Sequence, residues 1–394
     1  MSRKKKIQKH GYSFRNKVKL IRGGRDFFSL LNKLIEKAEK TIHLQFYIFL
    51  DDETGTTVMK SLKAATQRGV SVYLHLDGYA SQALHKRCVI DMREAGVNVK
   101  WFEPFFRSRH FYFGRRLHHK VVVVDGLYSL VGGLNVCNRY NDMPDEPAWL
   151  DVALYCEGEA AFVLNKTCYE MWGDKKITPT TSWDTIDKFC QQIPAAEQIQ
   201  VRQRQNDWVK RKSEVWRSYL DMFNKAEKHI TIMCSYFLPG RLFRKKLTQA
   251  ARRGVKIKVI LAGTSDIMMA KHAERYLYEW MLKNNIEIFE YQETVLHAKV
   301  ATYDSRWTTV GSYNVNNISA YASIELNLDV KDAAFANGME QILETIIKEN
   351  CVHITKEKHI QSNNPVKQFS RWCSYHFIRS VFFLLTFYFK QRRN

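Results

Sequence analysis

One stretch of the sequence occurs twice, and the interval between its copies limits what the chain can fold into. His118-His119-Lys120-Val121-Val122-Val123-Val124-Asp125, followed by Gly132-Gly133-Leu134-Asn135, returns as His297-Ala298-Lys299-Val300-Ala301-Thr302-Tyr303-Asp304, followed by Gly311-Ser312-Tyr313-Asn314. His, Lys, Asp, the first Gly and Asn each reappear 179 residues later. A constant register over five matched positions means two copies of one unit, each with one His, one Lys and one Asn. The echo extends further: Lys37-Ala38-Glu39-Lys40 returns as Lys225-Ala226-Glu227-Lys228, and Arg68-Gly69-Val70 as Arg253-Gly254-Val255.

The β-branched run after each His-Lys pair predicts a buried strand. Residues two apart on a strand share a face, so His118 and Lys120 point one way and His119 the other, and His297 pairs with Lys299 likewise. That alternation also stops His118 and His119 from chelating one metal ion, and no metal or cofactor is expected. Imidazole, ammonium and carboxamide suit a phosphate. Lys120 and Lys299 supply charge, Asn135 and Asn314 oriented donors, and a His can attack phosphorus or move a proton. Asp151 and Glu325 stand on the next predicted strand of each copy, 174 residues apart, where a carboxylate would orient an imidazole. Asp125 and Asp304 fall at strand ends, five residues past each Lys, and read as structural supports.

Along the first copy, helix 26–41, strand 42–50, a helix ending near Arg68-Gly69, strand 70–76, helix 81–95 and strand 97–102 alternate, the pattern of a sheet covered on both faces. The divisions expected are a basic amino-terminal tail at 1–20, a first unit at 21–175 and a linker at 176–205. A second unit at 206–350 and a basic carboxyl-terminal tail at 351–394 complete the chain. A net charge of +21 calls for a polyphosphate or an anionic membrane surface as partner. Residues 1–25 hold ten Lys and Arg and no acid, and the tail from Cys351 holds eight against Glu357. The apolar run Val381–Phe389 is too short for a helix to cross roughly 30 Å of hydrocarbon and suits an interfacial anchor. The aromatic and basic stretch from Phe102 to Arg116 reads either as a tucked loop or as a second lipid contact. Eight scattered cysteines, without a Cys-x-x-Cys pair, fit a reducing compartment.

The duplicated His-x-Lys-x4-Asp-x6-Gly-(Gly/Ser)-x-Asn resembles the signature of the phospholipase D superfamily over roughly residues 20 to 350. Arg116-Leu117-His118-His119-Lys120 and Leu296-His297-Ala298-Lys299 are most similar to bacterial cardiolipin synthases of the short branch, which lacks amino-terminal membrane spans. The resemblance implies an α/β fold of two tandem repeats, each a mixed sheet flanked by helices. It further implies pseudo-two-fold symmetry, with one active site between the repeats. His118, Lys120, Asp125, His297, Lys299 and Asp304 would then form the catalytic motifs. The activity implied is phosphatidyl transfer through a phosphatidyl-histidine to an alcohol such as phosphatidylglycerol, with phospholipid hydrolysis or a nuclease activity as alternatives. A catalytically dead membrane scaffold is disfavoured by two complete sets. The partners expected are an anionic phospholipid membrane and phospholipid substrates on the cytoplasmic face of a bacterial cell membrane, with no nucleic acid and no obligate protein partner. Two departures stand out: His119 where the family carries Arg, and Asn316 and Ile318-Ser319 where it carries Asp and Arg-Ser.

Overall fold

Phe27, Phe28, Leu31, Leu34 and Ile35 recur at helical spacing and form the buried face of α1 (Arg25–Lys37). In the computed structural model, which describes residues 11–104 and 115–390 with side chains as far as Phe383, this helix covers a mixed sheet. The sequence continues as β2 (Thr41–Phe46), α2 (Glu53–Gln67), β3 (Ser71–Asp77), α3 (Lys86–Glu94) and β4 (Asn98–Phe102). Strands β5 (Lys120–Val124), β6 (Tyr128–Gly132) and β7 (Val152–Gly158) follow, then α4 (Glu159–Trp172) and α5 (Trp183–Gln191). With β1 (Ser13–Arg22), the sheet order is β1-β7-β6-β5-β2-β3-β4. β2, β3 and β4 are parallel, because each pair is joined by a helix, whereas β5, β6 and β7 pair antiparallel. Strands β2 and β5 are buried along their whole length, and in β5 this accounts for the β-branched run Val121–Val124.

The chain divides by its contacts into two units. One runs up to Gln203 and takes in Val310–Ser312 and Leu326–Val330; the other holds Arg204–Thr309, Tyr313–Glu325 and the chain from Lys331. The second unit repeats the succession, after β8 (Ile199–Asp207) and β9 (Lys212–Ser213), with α6 (Glu214–Lys225), β10 (His229–Cys234), α7 (Arg241–Arg252) and β11 (Lys256–Ala262). Then come α8 (Met268–Tyr276), α9 (Tyr278–Lys283), β12 (Ile286–Tyr291), β13 (Lys299–Tyr303), β14 (Trp307–Gly311), α10 (Asn317–Tyr321) and β15 (Glu325–Lys331). Here too the strands that precede the motif are parallel, β10 to β11 to β12, and β13 is antiparallel to β10. The chain closes with α11 (Ala333–Asn350), β16 (Cys351–Ile354), α12 (Lys356–Gln361) and α13 (Pro365–Lys390).

Three segments differ from the tail and linker reading. Regular structure in the first unit starts before residue 20, since β1 pairs with β7 and β8. Its charge is put to use: Arg15 pairs at 2.7 Å with Glu159, which is buried, and the Asn16 amide donates to the Ile199 carbonyl. The 176–205 segment contains α5 and most of β8. From Cys351 the chain forms β16, antiparallel to β12, and α13, whose Tyr375, Ile378 and Phe382 pack against the second core. The first ten residues, the 105–113 part of the aromatic and basic stretch, and the side chains of 384–389 lie outside the described residues. Among the described residues no helix is long and apolar enough to cross a membrane.

Candidate active site

In the first unit, His118 stands just before β5 and Lys120 opens it. The imidazole of His118 packs edge-on against the Tyr47 ring, with centroids 4.9 Å apart, and the Lys120 ammonium lies over the same ring at 5.3 Å. Lys120 Nζ also donates to the His118 carbonyl, which keeps ammonium and imidazole on one face, as the two-residue period requires. Lys120 is buried. His119 turns to the opposite side, where its Nε2 lies 2.7 Å from Gln45 Oε1 in the core. Its side chain is therefore away from the His118 face, and the departure from Arg there falls on a packing position.

Asn135 is buried and fixed at both ends: Oδ1 accepts from the Ile48 amide at 3.0 Å, and Nδ2 donates to the Tyr140 hydroxyl at 2.9 Å. Asp151 is fully buried immediately before β7 and accepts from the Val152 amide at 2.8 Å. The glycine pair lets this acid approach. A Cβ on Gly133 would lie 2.5 Å from both Asp151 carboxylate oxygens, and one on Gly132 would lie 2.4 Å from the Val152 carbonyl oxygen.

The second motif is built alike. Lys299 is fully buried, and its Nζ donates to the His297 carbonyl and, at 3.1 Å, to Ser235 Oγ. His297 and Asn314 are buried, and the Asn314 amide N–H reaches Ser319 Oγ at 3.3 Å. Gly311 sits against the Leu326 carbonyl as Gly132 does against Val152. Those contacts are offset by 174 residues, the interval that separates Asp151 from Glu325, so the two acids occupy equivalent places. Glu325, fully buried, opens β15.

The two motif aspartates have another task. Asp125 accepts from three backbone amides, Glu39 at 2.9 Å and Lys40 and Thr41 at 2.8 Å. Asp304 does the same for Glu227, Lys228 and His229 at 2.8–2.9 Å. Each carboxylate thus staples the turn before β2 or β10 to the hairpin after the motif's strand. For Asp304, burial works to raise the pKa, but these three amides outweigh it and the net shift is downward. These contacts agree with the reading of Asp125 and Asp304 as structural supports: their oxygens serve backbone. Both adopt left-handed φ, 53° and 51°, as the first residue of the three-residue hairpin connections 125–127 and 304–306. Asp125-Gly126 between β-branched runs is the sequence signal that would have revealed the first of them.

Sequence reasoning also missed Asp77. Buried at the carboxyl end of β3, it accepts from the Leu117 amide at 2.8 Å and lies 3.5 Å from the Arg116 guanidinium. It thereby fixes the backbone that leads into His118. Asp52 does similar work behind Asn135, capping α2 at the Gly55 amide and accepting from Asn138 at 2.7 Å.

A family model described as "Cardiolipin synthase, PLD-like domain" matches residues 31–152 and 219–347, so both matches contain a motif. The chain belongs to that family. Among cardiolipin synthase relatives, Cardiolipin synthase B of Escherichia coli (strain K12) is 31% identical over 342 residues, covering 86% of this chain and 82% of that protein. Cardiolipin synthase 1 of Bacillus cereus is 29% identical over 365 residues, 89% of this chain and 70% of that protein. The phosphatidylserine synthase structure from Haemophilus influenzae Rd KW20 superposes with a TM-score of 0.73 at 15% identity, covering 94% of this chain and 95% of that one. This last likeness establishes the fold that the cardiolipin synthase-like chain shares.

The second unit also holds a cavity of about 410 Å³ whose wall includes Tyr313, the residue before Asn314. Leu238, Phe243, Tyr375 and Phe382 give it an apolar lining, and Arg241, Arg244 and Arg379 add positive charge.

Proposed function

We propose that the protein is a cardiolipin synthase-like phosphatidyltransferase acting through a phosphatidyl-histidine. The reading is carried by the two complete His-Lys-Asn sets, each with its Lys buried and tied to its own His carbonyl. One imidazole attacks phosphorus, forming a P–N bond as the bond to the departing alcohol breaks. The other imidazole gives that oxygen its proton. It then takes a proton from the incoming alcohol, whose oxygen attacks phosphorus and breaks the P–N bond, returning both His to their starting forms. Lys120 and Lys299 offset the charge that grows on the phosphoryl oxygens. Asp151 and Glu325 serve as the orienting acids. By family resemblance His118 is the nucleophile.

Phospholipid is favoured over nucleic acid as substrate by the second unit's cavity, which pairs apolar walls for an acyl chain with arginines for a phosphate. It is also favoured by α13. By helical spacing Phe369 and Phe377, both exposed, lie on the face opposite Tyr375, Ile378 and Phe382. A helix docked by one face and aromatic on the other suits a peripheral protein lying on an anionic bilayer, with phosphatidylglycerol or a similar alcohol as acceptor.

Mass spectrometry of products from mixed lipids tests the reaction. His118→Ala and His297→Ala should each lower turnover by about 10⁴-fold or more, and the double variant should lose little beyond that, because the pair acts as a unit. A labelled phosphatidyl adduct trapped in His297→Ala should map to His118. Multiplicative losses in the double variant, or cleavage of DNA with no lipid product, would overturn the proposal.

A further inference from the structure

We propose that the second unit carries a phosphate-binding site, formed by Arg275 of α8, Lys358 of α12, and Lys367 and Arg371 of α13, whose lining includes no residue of either motif. These four cations line a cavity of about 300 Å³, together with His272 and His359. Its one acid is Glu290, and that carboxylate is already engaged. It accepts from Arg275 through two bonds of 3.1 Å and from the Tyr278 hydroxyl at 2.7 Å, and lies 3.0 Å from the buried Lys271 ammonium. Arg371 is bonded to no carboxylate among the described residues. Only 7% exposed, it makes one side-chain hydrogen bond, to Asn363 Oδ1. Burial, reinforced by the charge of Arg275, pushes its pKa down, and Tyr278 and Glu290 offset that only in part.

A guanidinium buried without an anion is costly, and an anion in the cavity would remove that cost. Phosphate matches the donors. The planar fork of Arg371 can take two oxygens at once, and Lys358 and Lys367 can reach others on flexible stems from the rim, where both are exposed. The shared chemistry is a phosphate group, supplied either by a lipid headgroup or by free phosphate.

Titration calorimetry on the full chain, with inorganic phosphate and separately with a short-chain phosphatidylglycerol below its micelle concentration, tests the site and its source. Lys358→Gln/Lys367→Gln should weaken one class of binding by about tenfold or more. Arg371→Gln should do the same, and Lys120→Gln/Lys299→Gln should leave that class intact. Turnover of a soluble substrate should be unchanged in Lys358→Gln/Lys367→Gln. Binding of phosphate alone assigns a free ion, and binding of both or of the lipid alone assigns a headgroup. Where Arg371→Gln fails to fold, the lysine pair carries the test. Unaltered binding in the lysine double variant would overturn the site. So would an equal loss in Lys33→Gln/Lys37→Gln on α1, which removes the same charge elsewhere.

Discussion

A carboxylate that holds three backbone amides is worth more to the fold than to a reacting phosphate. In Asp125→Asn the amide side chain keeps the left-handed conformation that Asn tolerates, but it forfeits the charge and turns one acceptor into a donor. The expected cost is about 2 kcal/mol, read by denaturant unfolding, with turnover of the folded fraction little changed. Asp304→Asn should behave alike. Since the Asp304 carboxyl lies below its ordinary pKa when folded, its stabilisation is present above that ordinary value and is lost as acid protonates it. Turnover abolished at unchanged stability in either variant would return these aspartates to the chemistry. The contrast with His118 and Lys120 is instructive, because a single eight-residue motif divides into side chains that face the site and one that secures it.

At the scale of elements, α13 decides how membrane contact should be tested. Deleting the chain from Arg371 would remove Tyr375, Ile378 and Phe382 from the second core. Fully burying one such side chain is worth roughly 1.5–3 kcal/mol, so removing three that are partly buried takes a sizeable share of a domain's stability. Truncation would therefore confound release from lipid with unfolding. Replacing Phe369 and Phe377 by Ser alters only the exposed face. That variant should bind phosphatidylglycerol vesicles at least about tenfold more weakly at high salt, where charge is screened, and should keep its activity on a soluble short-chain substrate. Equal sedimentation of variant and wild type with vesicles at high salt would mean the aromatic face is not the anchor.

For the molecule as a whole, two histidines outside both motifs set an acid limit. His43 is stacked on Tyr73 at 4.7 Å, and His75 packs between Phe102 and Trp172, each at 5.7 Å. Burial pushes both pKa values down to about 3, with Lys100 adding to the effect on His75. When unfolded, both bind a proton near pH 6.5. Stability is therefore intact above that pH and declines as pH falls from there toward 3, by up to about 1.4 kcal/mol per pH unit for each His. Unfolding measured between pH 6.5 and 5, above the carboxylate range, should show this slope, and His43→Phe should flatten it. A slope unchanged by that substitution would assign the acid sensitivity elsewhere.

The repeat, the facing of His118 with Lys120 and the turning away of His119 were legible in the sequence, because a constant interval and a two-residue period are properties of neighbours along the chain. The alternation that predicted a sheet covered by helices is equally local, and strand limits moved by only one residue at β3 and β4. The backbone amides that Asp125 holds, the anchoring of Leu117 by Asp77 and the burial of Arg371 without a bonded carboxylate were decided by tertiary structure alone. Asp125 meets Glu39, Asp77 meets Leu117, and Arg371 closes on Arg275 only after the chain has returned on itself. Charge counted along residues 351–394 suggested a basic tail, but one face of α13 carries enough apolar surface to dock. Docking, by removing water from one guanidinium and leaving aromatic rings on the opposite face, converts an undifferentiated basic segment into two surfaces of different chemistry.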